Sequence, residues 1–212
     1  MKSPLAETQR AALIEAMLPD VAFDGWSRAA LRAAARRLGM APEEALALFP
    51  GGAADLAAGF SRWADQRMLD RLEALPLEAA HTPDRVAQAI VSRLEIVEPW
   101  REAVRRALTV MALPHNSRLA IRLVYDTVDA IWYAVGDAAT DFSFYTKRVS
   151  LAAIYGATLL YWLEDRSEGF AETRAFLDRR LAGAARFGRV RRDLDTLAER
   201  LPNPFRLLRP LR

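Results

Sequence analysis

The sequence predicts an all-α protein: a three-helix head of helix-turn-helix shape, a helical body and an amphipathic C-terminal helix. Three observations predict this. Apolar residues recur at three- and four-residue spacings along most of the chain. Pro and Gly fall mainly between these periodic segments. No two alternating apolar–polar runs pair as a hairpin. With 212 residues, 52% of them hydrophobic, the chain can build a sizeable core.

The elements follow in order. Ser3-Pro4 opens a helix that runs to about Leu18, with Pro in its first turn. Ser27 caps a second helix to Leu38, and Gly39 ends it. Pro42 opens a short third helix closed by Pro50-Gly51-Gly52. A fourth extends from about Ala53 to Leu75, with Phe60, Trp63, Met68 and Leu72 as candidate core positions. Pro76 and "EAAHTP" mark a boundary. Beyond it, helices are expected over Arg85–Val97, Trp100–Leu113, Arg118–Val135 and Ser143–Leu163. "LPHNS" and "GDAATD" interrupt them, and Gly169 precedes the helical "FAETRAFLDRRLAGAARF". The expected organisation is a head (1–52), a linking helix and connection (53–82), a body (83–187) and a basic tail (188–212).

Composition narrows the chemistry. Without cysteine there is no disulfide, thiolate metal site, iron–sulfur cluster or cysteine nucleophile. The 28 Arg against two Lys lift the pI, yet net charge is only +3, so there is no large cationic field. The N-terminus carries acid and Arg within its apolar pattern, unlike a secretory signal. The longest apolar run, Val149 to Leu163, falls short of the roughly 20 residues of a bilayer span. A soluble or peripheral protein is therefore expected. Glu78-Ala-Ala-His81 has the spacing of a carboxylate–histidine di-iron pair but no second copy, and His115 reads as part of a turn with Asn116. "FPGGAADL" lacks the lysine and spacing of a phosphate loop, and no serine lies in a nucleophile elbow. The expectation is a non-enzymatic chain without metal or cofactor.

"RRLGMAPEEALALFPGG" has the layout of a DNA-reading unit and resembles the head of TetR-type regulators. Its chemistry differs. The helix that would enter the major groove presents Glu43 and Glu44, and no Lys or Arg occurs from Leu38 through Ser61. Phosphate contacts need cations, and carboxylates do not replace them. Nucleic acid is not the expected partner, and a TetR-type regulator with a lipid effector is the alternative reading.

One segment is more particular than generic helix: "VDAIWYAVGDAATDFSFYTKR", Val128 to Arg148. Together with "LEIVEPWREAVRRAL", "LPHN" and "DRSEGFAETRAFLDRRL", it resembles the coenzyme Q protein nine family. The resemblance covers about residues 8–187 and is strongest over 94–181. It implies a TetR-like fold, a homodimer and an isoprenoid quinone or its precursor held in an apolar cavity of the body. It also implies a peripheral place on the cytoplasmic membrane and presentation of the lipid to the di-iron hydroxylase that acts on demethoxyubiquinone. Carried over position by position, the partner surface falls on Asp129, Ile131, Asp141, Phe144 and Tyr145. Phe144 stands where Trp is common in the family, Ile131 where Met occurs and Ser143 where Asn is usual. The residues themselves allow other roles: Asp141 also suits an N-cap, and Trp132 and Phe142 suit the core.

The lipid would contact Leu151, Ile154, Tyr155, Leu159 and Trp162, on a helix that is apolar on several sides. Such a helix is either buried in a core or lines a cavity. The tail holds eight Arg against three acids from Arg186 onward, a net +5 that leaves the first 185 residues at −2. Val190, Leu194, Leu197 and Leu201 form one helical seam, and "LPNPFRLLRPLR" alternates Arg with apolar residues. Leu194, Leu197, Leu201, Phe205, Arg206, Leu208 and Arg209 are the expected membrane contacts. A solvated basic tail, or a helix packed on a dimer partner, fits the same pattern.

Overall fold

Nine α-helices make up the described part of the chain. The computed structural model describes residues 4–75, 81–136 and 142–200, with side chains described except at 142–145 and 187–200. Among the described residues there is no strand.

The head comprises α1 (Pro4–Asp24), α2 (Arg28–Arg37) and α3 (Pro42–Leu48). Helix α1 runs on past the expected end at Leu18 and contains Pro19. An interior proline costs a helix about 3 kcal/mol, and burial of Met17, Leu18 and Val21 around it offsets that cost. Ser27 is extended, and its hydroxyl accepts from the Ala30 amide, as an N-cap should. At the other end of α2, Gly39 takes φ +68°, and the Met40 amide donates to Ala35 and the Gly39 amide to Arg36. This Schellman closure needs a left-handed residue at 39, which glycine supplies without strain.

Helix α4 (Gly52–Glu73) is the spine, packing on α1 in the head and on three body helices. Arg10 fastens its start. That guanidinium lies 4.2 Å from the Phe49 ring centroid, donates to the Leu48 carbonyl and pairs with Asp55 at 2.8 Å. Gly59 lets α4 approach closely, since a Cβ there would stand 3.0 Å from the Phe49 ring and 3.2 Å from Ile14.

The body comprises α5 (Thr82–Val97), α6 (Arg101–Met111), α7 (Ser117–Ala134), α8 (Phe142–Glu164) and α9 (Ala171–Arg200). Short 3-10 turns precede α6, α7 and α9. Head and body share one core rather than meeting at a linker. Buried Leu13 and Met17 continue through Phe60 and Trp63 to Leu94, Ile131, Tyr155 and Trp162. The rings of Trp26, Phe60 and Trp63 follow one another at 5.0 and 5.8 Å, and the Trp26 indole donates to the Ala103 carbonyl of α6.

The α8–α9 corner is closed by polar contacts. Arg101 of α6 donates to the Trp162 and Asp165 carbonyls at 2.7 and 2.6 Å, and Arg105 to Leu163 at 3.0 Å. These cap the carbonyl end of α8, where the Asp165 amide also donates to Trp162 at 3.2 Å. Asp165 then accepts from the amides and hydroxyls of Ser167 and Thr173. Burial opposes its ionised form, but those four donors outweigh it and hold its pKa down to about 2. Helix α9 passes through 187/188 without a break, so the expected boundary between body and tail is not a break in secondary structure. No helix among the described residues is long and apolar enough to cross a membrane.

Candidate functional site

Two buried guanidiniums organise the body. The first is Arg93 of α5, which lies on the apolar seam of Val86, Ile90, Leu94 and Val97. Its Nε donates to Asp65 Oδ1 of α4 at 2.7 Å, and its Nη2 donates to the Ser61 carbonyl and hydroxyl at 3.3 and 3.1 Å. The Thr127 hydroxyl of α7 donates to both Asp65 oxygens at 3.0 and 3.1 Å. From α8, the Tyr155 ring lies 5.4 Å from the guanidinium. Burial alone would lower the Arg93 pKa, but Tyr155 and Asp65 raise it above the ordinary value. Burial also pushes the Tyr155 hydroxyl up. Four helices thus meet at one satisfied ion pair.

The second is Arg148 of α8, where the resemblance places a partner surface. Its Nε and Nη2 approach Asp129 Oδ1 of α7 at 2.8 and 2.7 Å. The arginine is buried, whereas the Asp129 side chain is 49% exposed. Lys147 Nζ lies 5.5 Å from the ring centroid of Trp132, which is buried as a core residue. Tyr133 is 81% exposed beside them, and Ile121 and Tyr125 continue an exposed row along α7.

Ile131 departs from the expectation. It is completely buried in the core, so it supports this surface from beneath and does not present itself to a partner. The reason is register: Ile131 shares the inward stripe of Thr127 and Val128, while Asp129 and Tyr133 lie off it. Asp141 lies outside the described residues. Phe144 and Tyr145 fall in the first turns of α8, and their side chains lie outside the described ones.

Of the candidate lipid contacts, Leu151, Tyr155 and Trp162 are buried, and Ile154 and Leu159 are partly buried against the same core. A cavity of about 340 Å³ lies elsewhere, between the α1–α2 turn and α6, lined by Trp26, Glu102, Arg105, Arg106 and Val110 among others. The tail candidates Leu194 and Leu197 belong to the backbone of α9, with side chains outside the described set. Leu201, Phe205, Arg206, Leu208 and Arg209 lie wholly outside the described residues. In the head, Arg28, Arg32 and Arg36 line the exposed side of α2, and Glu43 and Glu44 are exposed on α3.

Sequence reasoning missed the Asp65–Arg93–Thr127 cluster. Its signal was there: each residue interrupts an otherwise apolar helical stripe, and a charge on such a stripe calls for a buried counter-charge.

Comparison with known proteins bears chiefly on α7 to α9. The COQ9 family profile matches residues 117–188, which hold α7, α8 and most of α9. The chain is 31% identical over 196 residues to the human mitochondrial ubiquinone biosynthesis protein COQ9, covering 89% of this chain and 61% of that protein. It is 33% identical over 184 residues to the Drosophila melanogaster protein of the same name, covering 85% of this chain and 56% of the relative. The Schizosaccharomyces pombe relative is 29% identical over 189 residues, covering 88% and 74%. The chain therefore spans between a half and two thirds of the length of the human and fly proteins. Among solved structures, a TetR transcriptional regulator from Nitrosomonas europaea superposes with a TM-score of 0.67 at 24% identity, covering 84% of this chain and 98% of that one. That likeness is one of fold.

Proposed function

We propose, from the premise that this chain belongs to the COQ9 family over residues 117–188, that it is a non-enzymatic accessory protein of ubiquinone biosynthesis. In this reading it binds an isoprenoid quinone or its precursor and presents it to the di-iron hydroxylase acting on demethoxyubiquinone. It works as a homodimer, peripheral on the cytoplasmic membrane. The observation that carries the reading is the family match itself, which spans both the α7 surface and the apolar α8.

The residues divide the work. Tyr133 and Asp129, with Asp141, Phe144 and Tyr145 next to them in the chain, make up the partner surface. An exposed aromatic beside charge suits a protein interface, where aromatic anchors carry much of the energy. The isoprenoid chain is held by the apolar helix α8, through Leu151, Ile154, Tyr155, Leu159 and Trp162. The seam through Leu194, Leu197 and Leu201, followed by Phe205, Arg206, Leu208 and Arg209, lies in the interface plane. Arginines there attract anionic headgroups by roughly 1 kcal/mol each.

Native mass spectrometry of the purified protein, together with sedimentation on anionic liposomes, tests this reading. A bound isoprenoid and liposome binding that is lost on deletion of 188–212 are expected. Protein free of isoprenoid that also stays in the supernatant would end the proposal. The TetR-like fold alone favours no operator-binding role here, because Glu43 and Glu44 occupy the helix that would read DNA.

A further inference from the structure

We propose that Asp129 is a positioning residue of the partner surface: it holds the buried Arg148 guanidinium and thereby fixes the start of α8 against the end of α7. The inference rests on the reading of this segment as a protein-docking surface.

A guanidinium buried between two helices needs a counter-charge, because an unpaired one is desolvated without compensation. Asp129 supplies a carboxylate, and Arg148 Nε and Nη2 both meet its Oδ1, at 2.8 and 2.7 Å. The pair is nineteen residues apart in sequence and spans the connection between Ala134, which ends α7, and Phe142, which begins α8. The Lys147–Trp132 contact at 5.5 Å ties the same two helix ends a second time. An acid engaged in this way differs from a contact acid, whose oxygens wait for a donor on the partner. Contact falls instead to Tyr133, one turn further along α7 and far more exposed. Asp129 acts through Arg148 by holding the first turns of α8 against α7, the helix that carries Tyr133.

A double-mutant cycle tests this. The full chain and its Asp129→Asn, Arg148→Gln and double variants are titrated against purified di-iron demethoxyubiquinone hydroxylase, with Asp129→Glu as the conservative control. Amide hydrogen exchange of residues 142–150 is measured on each free protein, with Arg148→Lys in reserve should Arg148→Gln not fold. Each single variant should weaken binding about tenfold, and the double variant no more than either alone. Exchange over 142–150 should quicken in both beyond any fall in global stability, and Asp129→Glu should stay near wild type. Multiplying effects with unchanged exchange would make Asp129 a direct contact and overturn the proposal, as would an Asp129→Asn variant unchanged in both readouts. A wild-type chain that fails to bind would sink the docking reading itself, and this inference with it.

Discussion

Arg93 and Arg148 are both buried arginines paired with an aspartate from a neighbouring helix, but their partners differ in exposure. The Asp65 side chain is 11% exposed and accepts a further hydroxyl, from Thr127. The Asp129 side chain is 49% exposed, at the rim of the molecule. The first pair is closed on itself and holds α4, α5 and α7 together beneath Tyr155. The second has one member in the core and the other at the surface, so what happens at the surface is felt by α8. The lesson is that the same ion pair builds a core when both charges are enclosed and shapes a surface when one is not.

That contrast can be broken where the effect is largest. Asp65→Leu leaves Arg93 charged and unpaired, and should cost about 3–5 kcal/mol in chemical denaturation. Adding Arg93→Met should return much of it, because a packed apolar pair substitutes well for a buried ion pair. A loss below 1 kcal/mol would show that water reaches this site. Asp165→Asn is expected to cost about 1–3 kcal/mol, since buried donors of Ser167 and Thr173 lose a charged acceptor. The sign of its pH dependence follows from a pKa depressed in the folded state. The stabilisation is complete above the unfolded value near 3.8 and is lost as pH falls toward about 2. The wild type should therefore lose stability over that window faster than the variant, as followed by helical circular dichroism.

Smaller effects sharpen the contrast. Asp129→Asn should cost less in global stability than Asp65→Leu, because the amide oxygen still accepts from Arg148 and water reaches the half-exposed site. A cost approaching that of Asp65→Leu would erase the distinction between the two pairs. Arg36→Ala, on the exposed side of α2, should change stability by no more than about 0.5 kcal/mol. It should also leave liposome binding unchanged; loss of that binding would move the membrane contact from the tail to the head.

The helices were legible because their punctuation is chemical: Ser27 and Gly39 perform the capping that their residue types suggest. Helix α1 outruns the expected end at Leu18 because burial on both sides of Pro19 carries it through a residue that would otherwise stop it. The 187/188 boundary reflects a change in charge, which a helix can cross without breaking. The surface was legible in part. The resemblance carried Ile131 over by position alone, and such a transfer does not register which side of α7 packs inward, where Ile131 lies. The Asp65–Arg93 and Asp129–Arg148 pairs join residues 28 and 19 positions apart, and only the packing of helices brings such partners together. The resemblance pointed to the segment, and packing separates its buried residues from its exposed ones.

On the proposed reading this chain assists a hydroxylation rather than reading DNA or catalysing alone. The decisive experiment reconstitutes the purified di-iron hydroxylase on liposomes that carry demethoxyubiquinone, with and without this protein. The wild-type chain should raise the rate of hydroxylated quinone formation, and Tyr133→Ala, folded and still membrane-bound, should raise it much less. A rate that is the same with and without the wild-type chain would refute the assisting role.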